Sequence, residues 1–227
     1  MPRYGCINER RNQLHEVIRL SGMNIIIGEV DRPLVIRVAS VAAARLQVYF
    51  IDNEDYFKRK LPYADADGVF YPDNGERAIF FARGVLETVK KLRWAPDVIH
   101  CHGWISQVLP LYLKKVYKDD PIFSGSKIVL SLYGDTPKEV LSKDFSHTIL
   151  FGGIKDEDTG LPAAADGTEL ARLAMRYSDG VIQGSADVAP ALLEYAKELG
   201  LKVLPFNEKA VTNGTYIDEY DTFYESL

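Results

Sequence analysis

The chain reads first as short apolar blocks separated by polar punctuation. Runs at Met23–Ile27, 34–38 and 46–51 are apolar and β-branched, which predicts three strands. Gly28, Asp31 and Pro33 fall between the first two and predict a hairpin whose turn occupies 28–33. The run 46–51 is almost continuously apolar, as a strand buried on both faces would be. Residues 52–72 mix charge with Tyr, Gly and Pro and read as an irregular connection. Its acidic residues Asp52, Glu54, Asp55, Asp65 and Asp67 read as a solvated loop rather than as a catalytic carboxylate pair.

The period then lengthens to that of a helix. Asp73 and Glu76 have the spacing of a capping box, and Ile79, Ala82, Leu86, Val89 and Leu92 recur on one face behind them. Glu87 and Lys91 stand one turn apart on the other side, where opposite charges pair. Trp94-Ala95-Pro96-Asp97 stops this helix, and Val98–His102 follows as a strand. Gly103-Trp104 turns the chain into a helix reaching about Tyr117, and Lys127–Leu132 is the next strand. Residues 134–160 predict a long loop or short helices. Then come a helix at 168–177, a strand at 181–183 and a helix at 189–199 that Gly200 ends. Lys202–Leu204 is expected as a last strand and 216–224 as a last helix, its aromatic residues packing back on the domain.

Strand and helix in alternation are what right-handed βαβ crossovers produce, so the expected class is α/β with a mostly parallel, doubly wound sheet. Ligands of such sheets bind outside the carboxyl ends of the strands. Three positions are thereby singled out: after Cys101, after Leu132 and after Gln183.

At the first, His100 and His102 share one face of their strand. A metal pair is disfavoured, because only His15 and His147 remain as further imidazoles. For His100 the sequence favours a buried ring bonded to backbone. His102 divides evenly between that role and donation to a substrate hydroxyl, with Trp104 either lining the pocket floor or packed in the core. At the second end, Tyr133 offers a ring and a hydroxyl to a sugar beside the permissive Gly134. At the third, Ser185 or Asp187 is expected to cap the following helix, whose N–H groups would also suit an anion.

Composition then excludes other classes. The 227 residues are 47% hydrophobic and 26% charged, as in ordinary globular proteins, and need no disulfide staples. Acidic residues outnumber basic ones by 32 to 27, which argues against a nucleic-acid partner. Apolar stretches such as 78–82 are far below the roughly 18 residues of a membrane span, so no membrane partner is expected. The first dozen residues are polar and contain no signal core. Cys6 and Cys101 make no disulfide framework, and a reducing, cytoplasmic setting is expected. Neither a dinucleotide fingerprint, a P-loop nor a nucleophile elbow occurs.

Several segments together carry a resemblance. Arg77-Ala78-Ile79-Phe80-Phe81 with Leu86-Glu87, and then the run from Trp94-Ala95-Pro96-Asp97 through His100-Cys101-His102-Gly103-Trp104, resemble the N-terminal domain of bacterial glycogen synthases and plant starch synthases. Met1-Pro2-Arg3-Tyr4-Gly5 resembles the end of that domain's second strand, and Val48-Tyr49-Phe50-Ile51-Asp52 the strand after its hairpin. The run from Ser178-Asp179-Gly180 to Gln183-Gly184-Ser185 is similar to a further family segment. The resemblance extends from residue 1 to about 200.

It implies a Rossmann-like sheet with an N-terminal β-hairpin insertion, one half of a GT-B type glycosyltransferase. That family transfers glucose from ADP-glucose to an α-1,4-glucan with retention, ADP-glucose being a substrate and no cofactor being used. By the resemblance His102 contacts the transferred glucose, with Gly103, Trp104, Tyr133 and Ser185 as substrate-binding positions. Gly103 stands where the family usually has Asp, and Tyr133-Gly134-Asp135 replaces a His-Asn turn.

The resemblance further implies that residues 1–227 are a single N-terminal-like domain lacking the family's first strand, its phosphate loop and its C-terminal donor-binding domain. Met1 is then expected to be an internal methionine of a longer product. Glucosyl transfer needs a leaving diphosphate held by cations, so the chain is not expected to turn over ADP-glucose alone. Three readings follow: an acceptor-side half working with a separate donor-domain polypeptide, a non-catalytic glucan-binding or regulatory module, or a diverged fragment with structural or self-associating contacts.

Overall fold

The computed structural model describes residues 1–227, which fall into two units divided after Trp94. In the first unit the strands are β1 (His15–Glu16), β2 (Met23–Ile27), β3 (Val30–Val41) and β4 (Leu46–Asp52). The long β3 organises them, pairing antiparallel with β2 along its first half, with β4 along its second, and with β1 at Arg37 and Val38. Ile27 faces Val30 across the hairpin, so the turn is only Gly28-Glu29, and residues 30–33 belong to the strand rather than to the turn. Gly28 has φ +60°, the left-handed conformation that tight hairpin turns demand.

β4 corrects a second expectation. Leu46 is 54% exposed and only Phe50, Ile51 and Asp52 are buried, so the strand is covered toward one end and not on both faces throughout. Pro2 bridges to Ile51 in parallel fashion. A single helical turn, α1 (Glu54–Phe57), starts the connection at 52–72, with the Asn53 side chain accepting from the Tyr56 N–H.

Helix α2 (Asn74–Leu92) covers this sheet with Ala78, Ile79, Ala82 and Leu86, and its first two turns are buried nearly all round. A β-carbon on Gly84 would lie 2.8 Å from the Ile51 side chain, so glycine lets the helix approach the strand closely. The expected capping box is not made. Arg59 grips the Asp73 carboxylate through both terminal nitrogens, and the Glu76 carboxylate accepts from the Tyr56 hydroxyl at 2.6 Å. Asp52 corrects the solvated-loop reading, for it is buried and accepts from Arg37 at 2.8 Å and Arg3 at 3.2 Å.

The second unit holds the parallel sheet. β5 (Val98–His102) leads through a 3-10 turn at Trp104–Ser106 into α3 (Leu109–Lys115), shorter than the continuous helix the sequence suggests. β6 (Lys127–Leu132) is followed by single turns α4 (Phe145–Thr148) and α5 (Asp156–Thr159), and by α6 (Gly167–Arg176). Asp166 caps α6 by accepting from the N–H groups of Thr168 and Glu169. β7 (Gly180–Gln183), α7 (Pro190–Glu198) and β8 (Lys202–Leu204) complete the alternation. The strands lie in the order β5-β6-β7-β8, all parallel, as successive crossovers of one hand require.

Two helices close the chain, α8 (Glu208–Asn213) and α9 (Tyr216–Glu225). Phe223 of α9 packs on Val129 and Ile182, with Val98, Leu204 and Leu227 around them. The tail therefore folds back on the sheet, on the face that also carries His100 and Ser131. No helix of the chain is long and apolar enough to cross a membrane.

Candidate functional site at the strand ends

Alternation in β5 sends His100 and His102 to one side of the sheet, and parallel pairing sets His100 opposite Val129 and His102 opposite Ser131. The two imidazoles stack with centroids 3.8 Å apart and planes inclined by 37°. Both nitrogens of His100 are engaged, Nδ1 with the Tyr224 hydroxyl and Nε2 with the Ser131 hydroxyl, each at 2.7 Å. The inner histidine thus has the structural role that the sequence favours, but its partners are side chains rather than backbone. His102 is exposed, and its Nδ1 lies 2.8 Å from the Tyr133 hydroxyl.

Burial pushes the His100 pKa down to about 3, and the neighbouring His102 lowers it further in the same direction. Desolvation also lowers the pKa of His102, so both rings are neutral near pH 7. Each then has one N–H and one lone pair, and the hydrogen bond at one nitrogen decides what the other offers. With both Nδ1 atoms facing phenols, the pair does not converge on a metal ion.

Gly103 follows with φ +69° and ψ 166°, a conformation essentially restricted to glycine, and no atom lies within 4 Å of where its β-carbon would be. It leaves the rim beside His102 unobstructed. Trp104 is 5% exposed, so its indole belongs to the core. Ser106 fastens the same turn by donating to the carbonyls of His102 and Gly103.

The second and third strand ends clasp each other. Ser185 Oγ accepts the Gly134 N–H at 3.1 Å, and Gly184 N–H donates to Leu132 O at 2.8 Å. Ser185 also hydrogen-bonds Asp187, holding that carboxyl below its usual range. Neither residue caps α7, whose N-cap is Ala189 without a side-chain bond, because both face the Gly134 turn. The structure thus brings His102, Gly103 and Tyr133 together, while Ser185 stands one turn away as a brace.

Three participants escape the local sequence signal. Ser131 is fully buried and reads as an ordinary strand residue, whereas Tyr220 and Tyr224 lie 120 and 124 positions beyond His100 and meet the edge of its ring at distances of 5.7 Å. The i, i+4, i+8 spacing of Tyr216, Tyr220 and Tyr224 marks one helix face but not its target. A groove of about 410 Å³ beside β8 and α9 is lined by Leu204, Asp218, Thr222 and Phe223 among others, and none of the strand-end residues lines it.

Comparison with known proteins bears on this geometry. Residues 1–204 match the family described as the starch synthase catalytic domain. Glycogen synthase of Chlorobium limicola is 36% identical over 198 residues, 82% of this chain and 40% of that protein. Glycogen synthase of Chlorobium luteolum is 42% identical over 142 residues, 62% of this chain and 29% of that one. The chain therefore spans less than half the length of these relatives. Among solved structures, the catalytic domain of starch synthase IV from Arabidopsis thaliana, bound to ADP and acarbose, superposes with a TM-score of 0.67 at 16% identity, over 90% of this chain and 43% of that one.

Proposed function

The chain belongs to the family of starch synthase catalytic domains, and from that premise we propose that it forms the acceptor side of a glucosyl transfer from ADP-glucose to an α-1,4-glucan. In this reading residues 1–227 correspond to one N-terminal-like domain of a GT-B enzyme and act with a donor-domain polypeptide. The observation that carries the reading is His102, a neutral imidazole at the carboxyl end of β5, held by Tyr133 and exposed toward the open rim at Gly103.

A neutral imidazole suits a sugar hydroxyl better than a charged one would, because it fixes the ring without repelling positive charge as that develops at the anomeric carbon. Tyr133 adds a ring face, and the Ser185–Gly134 clasp holds the turn that carries it. The diphosphate leaving group needs cationic partners, which the reading assigns to the donor-domain polypeptide. ADP-glucose is a substrate here, and the reaction calls for no cofactor. The chain would work in a reducing cytoplasm, where the exposed Cys6 thiol stays free.

Glycogen co-sedimentation tests the binding half of the proposal. The wild-type chain should pellet with glycogen, and His102→Ala should weaken retention roughly 3- to 10-fold, the worth of one neutral hydrogen bond. Retention of both alike would remove His102 from the site. ADP release on mixing the chain with a donor-domain polypeptide, glycogen and ADP-glucose tests the catalytic half. Binding without ADP release under any pairing would favour the second reading, a glucan-binding module that keeps the fold without the chemistry.

A further inference from the structure

The family match ends at residue 204, and α9 lies wholly beyond it. A β-carbon on Gly180, the first residue of β7, would lie 2.9 Å from both Phe223 and Leu227, so the end of α9 sits at the amino ends of the strands. Asp218 and Glu219, in its first turn, line a groove with Leu204, the last residue of β8. The helix therefore runs against the strands. From Tyr224, which meets His100, its axis advances ~12 Å to Tyr216, against ~7 Å from His100 to His102 along β5. Tyr216, the first residue of α9, is thus carried to the rim where His102 lies.

The tyrosines of α9 recur at every fourth position and share one side of the helix. Tyr216 and Tyr220 stand with centroids 5.4 Å apart and planes at 75°, Tyr220 and Tyr224 with centroids 6.3 Å apart and planes at 61°. Tyr220 continues to the edge of His100 at 5.7 Å, His100 to His102 at 3.8 Å, and His102 to Tyr133 at 6.2 Å. An unbroken series of rings thus leads from Tyr133 at the second strand end to Tyr216 at the start of α9. Edge contacts hold these phenols without covering them, for Tyr133, Tyr216 and Tyr220 are all half-buried. A tyrosine ring fixed beforehand loses little entropy when a ligand settles on it.

The chemistry of the row selects its occupant. Its rings offer flat apolar faces with a hydroxyl at the edge, the complement of a pyranose, whose C–H groups make apolar faces between polar rims. α9 carries Asp218, Glu219, Asp221 and Glu225 and no basic residue, which disfavours a phosphate or a nucleotide and leaves a neutral ligand. The row is also continuous with the rim at His102, whose proposed ligand is of the same class.

We propose that α9 adds an aromatic subsite to the strand-end site: Tyr216, set against Tyr220, stacks on a pyranose ring of the glucan chain that His102 holds at the rim. The proposal rests on the glucan reading for the presence of that chain. It goes further by placing a second sugar on residues outside the family match.

The test is an NMR titration with maltoheptaose of the whole chain carrying ring-labelled tyrosine and 15N-labelled histidine. The Tyr216 ring and His102 resonances should shift and saturate together. In calorimetric titrations Tyr216→Ala should weaken maltoheptaose binding roughly 3- to 10-fold, the worth of one aromatic contact, whereas Tyr216→Phe keeps the ring and should bind as the wild type does. Ile217→Ala, at a position 56% exposed on another side of α9, should leave binding unchanged.

A Tyr216 ring that stays in place while His102 shifts overturns the proposal in the wild-type chain, so misfolding of a variant does not rescue it. That outcome leaves the glucan reading standing. Equal losses in Tyr216→Ala and Tyr216→Phe would also overturn it, because stacking does not need the hydroxyl. A Tyr216 shift without a His102 shift supports stacking on α9 and sinks the strand-end role of His102. No shift in either ring sinks the glucan reading and the subsite with it.

Discussion

A methyl group on Gly134 would overlap the Asp187 carboxylate, so that exposed side chain keeps its present place against the turn after β6 only with glycine there. Gly134→Ala should swing the Asp187 side chain off Ser185 and lower stability by ~0.5–1.5 kcal/mol, the worth of that hydrogen bond, measured as a reduced urea midpoint. Local sequence shows Gly134 as a turn residue and nothing more, because the atom it must avoid lies in another loop. His100 makes a second prediction at this scale. Its folded pKa of about 3 lies below the ordinary 6.5, so in that interval the unfolded chain binds the proton and the folded chain does not. Stability from this group is complete above pH 6.5 and declines as pH falls toward 3, with Tyr220, Tyr224, Ser131 and His102 facing the ring. Comparing the wild type with His100→Asn by urea titration between pH 7 and 5 isolates it. The wild type should lose stability relative to the variant over that range.

Helix α2 shows how far periodicity carries an element. Its inward face was legible from Ile79, Ala82 and Leu86, all of which are buried. Its first turn was not, because the capping spacing of Asp73 and Glu76 competes with Arg59 and Tyr56, which arrive from the irregular connection. Arg77 ties that connection to the helix. The guanidinium is buried, donates to the carbonyls of Tyr56 and Pro62 and to Asn74, and sits over the Phe57 and Tyr71 rings. Arg77→Met keeps the unbranched aliphatic stem but leaves two carbonyls without their donor. We expect a loss of ~2–5 kcal/mol and faster amide exchange through α1, with α2 itself remaining protected. The tail helix is the opposite case. Residues 216–224 read correctly as helical, and their apolar side packs on the sheet as the sequence suggests. The polar contacts of Tyr220 and Tyr224 were invisible, since nothing local in a helix announces which imidazole its phenols will find.

For the whole molecule, alternating strands and helices from residue 98 onward announced a parallel sheet, and β5 to β8 form one in sequential order. The first 94 residues gave the weaker signal, because a hairpin and a long shared strand organise an antiparallel sheet that short apolar runs do not distinguish from parallel strands. The rule that ligands bind at strand carboxyl ends pointed to three positions, and they join as one rim with a brace: His102, Gly103 and Tyr133, steadied by Ser185 against Gly134. Glucan recognition by this rim is the central claim, and the four histidines make it directly measurable. His15 and His147 are exposed and lie in other elements, so they serve as internal references. In a 1H–15N correlation of imidazole resonances titrated with a linear maltooligosaccharide, His102 should shift and saturate while His15 and His147 stay in place. Unchanged His102 resonances at saturating glucan would contradict the account.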